Sequence, residues 1–250
     1  MDYHDALSHW KGLCASDAAT LRNALSDKCV DFAYNSGRIE NDAVTYRDTR
    51  GIFEHDRVPG YTGDLRTLRE IRNAKRAYGV FMEFFARGHA FDEELVKTLQ
   101  LVLTEDTYDD SRLRRGERPG EYKRHDYVVG LNEHGASAED TPEEMAELLD
   151  DISSTEIGPG NALTAAAFFH AKFEDIHPFA DGNGRAGRLA MNYLLVTHAH
   201  PFIVVHEEDR LSYYGALDAW SERMDLAPLI VFLKEQTVKT WRNAKTMTRK

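Results

Sequence analysis

Apolar side chains recur at three- and four-residue steps through most of this 250-residue chain, the period of a helix with one buried face. Over residues 16–40, "SDAATLRNALSDKCVDFAYNSGRIE", Leu21, Leu25, Val30 and Phe32 fall near one side, and Ser16 or Asp17 can cap the start. Leu68, Ile71, Tyr78, Phe81 and Phe85 repeat the pattern and predict a core helix. Further helices are predicted over "DEELVKTLQLVL", "NALTAAAFFHAKF" (161–173), the run after Gly184, "RLSYYGALDAW" and "APLIVFLKEQTVKTW". "TPEEMAELLDDI" carries its own start signal, with Thr141 as cap, Pro142 in the first turn and Glu144 closing a capping box. The period changes at "GEYKRHDYVVG" (120–130), where Tyr122, Tyr127, Val128 and Val129 favour extended backbone and predict a short hairpin. The polar stretch from Asn41 to Gly63 predicts a loop, dividing an N-terminal helical segment (1–60) from a main body (61–250). The expectation is an all-α fold with one small β flap.

Composition narrows the function classes. With 31 basic and 42 acidic residues the formal charge is −11, which disfavours general attraction to nucleic acid or to an anionic membrane. An anionic ligand therefore needs a local cluster of donors. Cys14 and Cys29 are the two cysteines and read as reduced, buried thiols in a cytoplasmic setting. The N-terminal residues show no signal-peptide pattern, and no apolar run approaches the ~20 residues of a spanning helix.

The candidate chemistry lies in "HPFADGNGRAGR", residues 177–188. Gly182, Gly184 and Gly187 make a GxGxxG, yet a dinucleotide fingerprint must follow a buried strand, and here a helix and a polar loop broken by Pro178 precede it. A Walker loop and a calcium loop fail as well, lacking Gly-Lys-Ser/Thr and the alternating carboxylates. The residues instead describe an anion site. Glycines around Asn183 let backbone N–H groups turn toward a ligand at a helix start. Arg185 and Arg188, three apart, project to one side. Asp181 offers a hard oxygen for Mg²⁺ beside phosphates, and His177 an imidazole able to take a proton from a hydroxyl. Clamp, metal ligand and base together suit nucleotidyl or phosphoryl transfer.

The stretch "IHPFADGNGRAGR" resembles the signature of the Fic family, HPF-x-[DE]-GNGR-x-x-R, with every fixed position present. "GEYKRHDYVVG" is similar to the family's target-docking flap, and "DRLSYYGALDAW" followed by "APLIVFL" to the helices after the signature. The resemblance spans roughly residues 110–235. It implies a Fic-type helical bundle with a β-hairpin flap over the active site, and the Mg²⁺-dependent transfer of AMP from ATP to a Ser, Thr or Tyr hydroxyl. By the same resemblance His177 is the base and Asp181 the Mg²⁺ ligand. Gly182, Asn183 and Gly184 form the anion hole, and Arg185 and Arg188 hold the β- and γ-phosphates. Tyr127, Val128, Val129 and Gly130 line the nucleotide and pair with an extended target segment, while Tyr213 and Tyr214 stand at the adenine pocket. Modification of the chain itself and a homodimer are compatible with it; membrane and nucleic-acid partners are not expected.

Upstream, Ser36-x-x-x-Glu40-Asn41 resembles the family's inhibitory motif [ST]-x-x-x-E-[GN], in the subclass that carries it N-terminally and in the same chain. Glu40 would then occupy Arg188 as a bidentate pair and exclude a γ-phosphate. Two alternatives stay open: a hydrolase that removes AMP on the same fold, with Glu40 positioning water, and a toxin-like nucleotide-binding module with little catalysis. Elsewhere His170 reads as a core or supporting histidine, His198 and His200 as helix-end residues. Arg66, Arg69, Arg72 and Arg76 read as a solvated face.

Overall fold

The computed structural model describes residues 1–129 and 133–242. Among the described residues twelve α-helices follow in order: α1 (Tyr3–Leu13), α2 (Ala18–Ala24), α3 (Lys28–Glu40), α4 (Tyr46–His55), α5 (Leu65–Ala86), α6 (Glu93–Thr104), α7 (Asp110–Arg114), α8 (Thr141–Ser154), α9 (Ala162–Ile176), α10 (Asn183–Thr197), α11 (Arg210–Arg223) and α12 (Ala227–Trp241). Six of the first seven open on a side-chain oxygen that accepts an orphan N–H: Asp2, Asp17, Thr45, Asp64, Asp92 and Asp109. Each such cap is worth about 1 kcal/mol.

The centre of the bundle is α10, buried from Asn183 through Val196 apart from Gly184, and packed against α9, α6, α3 and α5. A helix apolar on nearly every side must be surrounded, and the alanines of α9 allow the close approach. The first sixty residues contribute to the same core: Trp10 of α1 meets Trp241 of α12 edge-on at 5.4 Å, and Phe32 of α3 meets Phe202 at 5.1 Å. Phe202 to Val205 are buried in irregular backbone. Asn192 of α10 accepts from Ile203 N, and Thr240 and Gln236 of α12 accept from Val204 N and His206 N, as burial of polar groups requires.

The structure corrects several expectations. The predicted helix over 16–40 is two helices, interrupted after Ala24, with Leu25 still buried at the break. The predicted loop 41–63 contains α4, whose Thr49 and Ile52 are buried beside Val44 and Ile71. Ile52 and Phe53, adjacent and with only Tyr46 before them, left no legible helical period in those ten residues. Thr141 is the first helical residue of α8 and not its cap; its hydroxyl donates to Ser137 O at 2.6 Å. Cys14 is exposed, at a left-handed position ending α1, and both thiols are free. Extended pairing among the described residues is confined to β1 (Val128–Val129) and β2 (Glu133–His134), two antiparallel residues a side. Most of the stretch predicted as a hairpin, 120–127, is irregular, because Lys123 and Glu117 tie it to the body as described below.

Candidate active site

The site forms where α9 stops and α10 begins. His177 takes a left-handed backbone (φ 51°, ψ 61°), ending α9 with its N–H on Phe173 O, and Pro178 has no N–H to continue the ladder. Phe179 is fully buried against Phe173 and Tyr122 and anchors the loop. At Gly182 the chain again has positive φ (82°), and a Cβ would come within 2.5 Å of Thr104 Cγ2. Only glycine meets both demands. The Asn183 side chain is spent on the loop itself, donating to Phe179 O at 2.8 Å and accepting its N–H at 2.9 Å. The anion-hole expectation for Asn183 thus passes to the backbone, whose first-turn N–H groups face outward from the helix start.

A fully buried residue of α6 holds this loop from behind. Gln100 donates to Asp181 O at 2.7 Å and accepts from Gly120 N at 2.6 Å, tying the signature loop to the segment leading into the flap. The sequence signal for it was a glutamine four residues after Val96 and three before Leu103, on the apolar stripe. Lys123, also buried, makes a second tie: its N–H donates to Pro178 O and its ammonium to Ile176 O. Glu117 makes a third, accepting from Arg124 N, from the Tyr127 hydroxyl at 2.9 Å and from His125.

The two signature arginines have carboxylate partners. Arg188, 1% exposed, donates Nη2 to Glu40 Oε1 at 2.8 Å and to Ser36 O at 2.9 Å, Nε to Ser36 Oγ at 3.1 Å, and Nη1 to the Tyr213 hydroxyl at 3.4 Å. The expected bidentate pair is therefore a single contact, because Ser36 takes the other edge of the fork. A Cβ at Gly184 would strike the Glu40 carboxylate and Arg188 Nη1, so that glycine leaves room for their contact. Arg185 reaches Asp181 Oδ1 at 3.1 Å and lies 3.7 Å from Glu70 Oε1. Glu70, on α5, is bonded in turn by Asn41 Nδ2 at 2.7 Å and by Arg66 Nε at 3.2 Å. Arg66 also donates Nη2 to Asp181 Oδ2 at 2.8 Å, so this arginine of the expected solvated face belongs to the site.

His177, Asp181, Arg185 and Glu40 share a cavity of about 210 Å³, with Arg112 and Tyr127 at its wall. Burial, followed by the Lys123 ammonium, pushes the His177 imidazole down to about 4, so it is neutral at pH 7 and able to accept a proton. Its Nδ1 is buried and unbonded. Of the two candidate adenine tyrosines, Tyr213 is 1% exposed, its hydroxyl 2.6 Å from His170 Nε2 and its ring packed on His170 and Phe232. Tyr213 has no free face for a base and supports Arg188 instead; Tyr214 keeps an exposed ring. His170 is the supporting histidine expected. For Val128 and Val129 the backbone places them in β1; Gly130 lies outside the described residues.

Asp181 supplies one carboxylate, and no group of three or more potential ligands from His, Cys, Asp and Glu surrounds it among the described residues. That donor set fits Mg²⁺ carried between a carboxylate and substrate phosphates, the usual mode for this ion. Among the described residues no helix is long and apolar enough to cross a membrane.

Comparison with known proteins agrees with this geometry. The chain is 27% identical over 229 residues to a protein of Drosophila erecta named protein adenylyltransferase Fic, covering 89% of this chain and 43% of that protein. A relative of the same name from Drosophila grimshawi is 27% identical, with 89% and 44% covered. The chain thus spans less than half the length of these curated relatives. Among solved structures, a Fic domain containing signaling protein from Bacteroides thetaiotaomicron superposes with a TM-score of 0.77 at 23% identity, over 97% of this chain and 94% of that one. A Fic family protein from Desulfovibrio desulfuricans gives 0.71 at 24% identity, over 98% and 75%. Both share the fold. Residues 90–195 match the model of the Fic/DOC family, and that stretch contains the complete signature loop seated at the start of α10.

Proposed function

We propose that this chain is a protein adenylyltransferase, moving AMP from ATP to a hydroxyl of a protein target, and that Glu40 holds it in check. The observation that carries the reading is the 2.8 Å contact of buried Arg188 with Glu40, a carboxylate that lines the same cavity as His177 and Asp181. A base, an anion-binding helix start and two arginines converge there, and a carboxylate from α3 occupies one of them.

The first-turn N–H groups of α10 and Arg185 receive the phosphates. Mg²⁺, held by Asp181, would neutralise charge on the phosphate oxygens. His177, neutral at pH 7, takes the proton of the target hydroxyl as its oxygen attacks the α-phosphorus and pyrophosphate departs. Arg188 sets the γ-phosphate so that attack is in line. While Glu40 holds Arg188, that alignment is lost. The target segment, or a segment of the chain itself, docks extended along the edge at Val128 and Val129.

A second reading, removal of AMP, is favoured by one observation: Glu40 lines the same cavity as His177 while its Oε1 alone is engaged by Arg188. A carboxylate so placed can orient a water against a modified hydroxyl.

The test is transfer of α-labelled AMP by four proteins: parent, Glu40→Gly, Arg188→Ala and the double variant. A charge-assisted contact is worth roughly 1.5–3 kcal/mol, so Glu40→Gly is expected to gain about ten- to a hundredfold. The double variant should be as inactive as Arg188→Ala, since the gain needs the freed guanidinium. No gain in Glu40→Gly on any substrate overturns the inhibitory role, and loss of AMP removal from a pre-modified target in that variant supports the second reading.

A further inference from the structure

Asp181 has no free carboxylate oxygen in this structure: Arg185 Nη2 is on Oδ1 at 3.1 Å and Arg66 Nη2 on Oδ2 at 2.8 Å. Of the four arginines along that side of α5, Arg66 alone turns to the signature loop. Arg69 donates to Asp106 O at 3.1 Å, Arg76 pairs with Glu105, and Arg72 is exposed. A divalent ion needs a carboxylate oxygen at about 2.0–2.1 Å, and a guanidinium on that same oxygen opposes it in charge and in space. One arginine has to yield. Arg185 is 7% exposed, and Glu70 lies 3.7 Å behind it. The Arg66 side chain is 44% exposed and springs from the first turn of α5, so Arg66 is the one free to move.

We propose that Arg66 is a resident counter-cation of Asp181, displaced onto Glu70 when a divalent metal loads, and that it sets the metal concentration at which nucleotide binds. The inference rests on the reading of the cavity as a metal–nucleotide site. Its physical basis is that Arg66 already has its second partner: Nε donates to Glu70 Oε1 at 3.2 Å, so rotation of the outer guanidinium releases Asp181 without stranding a charge. Glu70 is itself fixed by Asn41 Nδ2 at 2.7 Å, one residue beyond Glu40. The segment that occupies Arg188 thus also holds the carboxylate onto which Arg66 retreats. Arg66 is in this sense a positioning residue, acting through Asp181.

The test is equilibrium binding of a fluorescent, non-hydrolysable ATP analogue to the full chain, titrated with Mg²⁺, in a Glu40→Gly background with Arg66 intact, Arg66→Ala, Arg66→Gln or Arg66→Lys. No catalysis enters the readout. The Mg²⁺ concentration for half-saturation is expected to fall about two- to fivefold in Arg66→Ala and Arg66→Gln, as a partly exposed ion pair is removed. It should stay near that of intact Arg66 in Arg66→Lys, with affinity at saturating Mg²⁺ unchanged in all. An unchanged or higher half-saturating concentration in both neutral variants overturns the proposal, the latter result making Arg66 a phosphate ligand. If binding with Arg66 intact shows no dependence on Mg²⁺, the metal–nucleotide reading falls and takes this proposal with it. Metal dependence with unmoved midpoints removes the proposal alone.

Discussion

His177 is kept neutral by its surroundings, and its basicity is set by how they weigh against one another. Burial is the largest cause of its depressed pKa and the Lys123 ammonium the next. Replacing Lys123 with Met removes that second cause, so the acid limb of the pH–rate profile for AMP transfer is expected to move to higher pH. An unmoved limb would show that the Lys123 charge does not reach the imidazole. His177→Ala should lower transfer by about 10²–10⁴-fold, the usual worth of a positioned base. Binding of the ATP analogue should be nearly unchanged, because the ring acts on the incoming hydroxyl. Retention of most of the transfer rate would remove His177 as base. The sequence named His177, Asp181, Arg185 and Arg188 without help, since their spacing within twelve residues already constrains them. Arg66, Glu70 and Gln100 were out of reach, because each arrives from a helix 77–122 residues away in the chain, where nothing local distinguishes it.

At the scale of the element, the proposed inhibition makes α3 the part whose stability sets the activity. It carries Ser36 and Glu40 onto Arg188 but has Gly37 between them. A Cβ there would meet only Val44 Cγ1 at 3.4 Å, ordinary contact. Gly37→Ala should therefore stabilise the helix by roughly 0.5–1 kcal/mol, and basal transfer should fall by two- to fivefold while Glu40→Gly/Gly37→Ala keeps the activity of Glu40→Gly. Basal transfer unchanged or raised in Gly37→Ala would separate helix stability from inhibition. The flap is an opposite case. Its extended pairing amounts to two residues a side, and its approach is fastened at Lys123 and Glu117 rather than by strand hydrogen bonds. Aromatic and β-branched composition told of extended backbone but not of those ties, which depend on Pro178 and Ile176 being near.

For the whole molecule, buried histidines predict how stability responds to acid. Burial pushes His170 down to about 3 and His177 and His200 to about 4, so all three fold neutral, whereas in the unfolded chain they protonate near 6.5. Glu174 opposes them: burial raises it to about 8, so it folds protonated and ionises on unfolding. Between pH 4.5 and 6.5 unfolding therefore takes up about three protons at these histidines, added to by His206, which burial also shifts down, and releases one at Glu174, a net uptake of about two or more. Stability rises with pH wherever the unfolded state binds more protons, so it should fall steadily as pH drops from 6.5. The histidine contribution fades between about pH 6.5 and 7.5, and as pH rises toward 8 Glu174 dominates, so stability should decline there. Thermal melts across pH 4.5–8 in a common ionic strength check this; a midpoint that does not fall below pH 6.5 would mean that the histidines are solvated in the folded chain. His170→Gln, by removing one titrating ring, should flatten the acid slope by about one proton.

Taken alone, the sequence determined the helical class, the main apolar helices and the complete signature loop, and by resemblance it pointed to Ser36 and Glu40 upstream. All of these are local: a period, a cap or a spacing within a dozen residues suffices to state them. The tertiary structure decided what the local signals left open. It put Glu40 on Arg188, 148 positions away, by a single contact with Ser36 on the other edge. It buried Tyr213 under that arginine while leaving its neighbour Tyr214 exposed, although helical periodicity makes no distinction between two adjacent tyrosines of unknown phase. It turned α4 out of a polar stretch by giving Ile52 a place beside Val44 and Ile71. The physical reason is common to all three: the partner of a charge, a ring or a weakly apolar helix is chosen by what packing brings within about 4 Å, and that choice is made across the chain rather than along it.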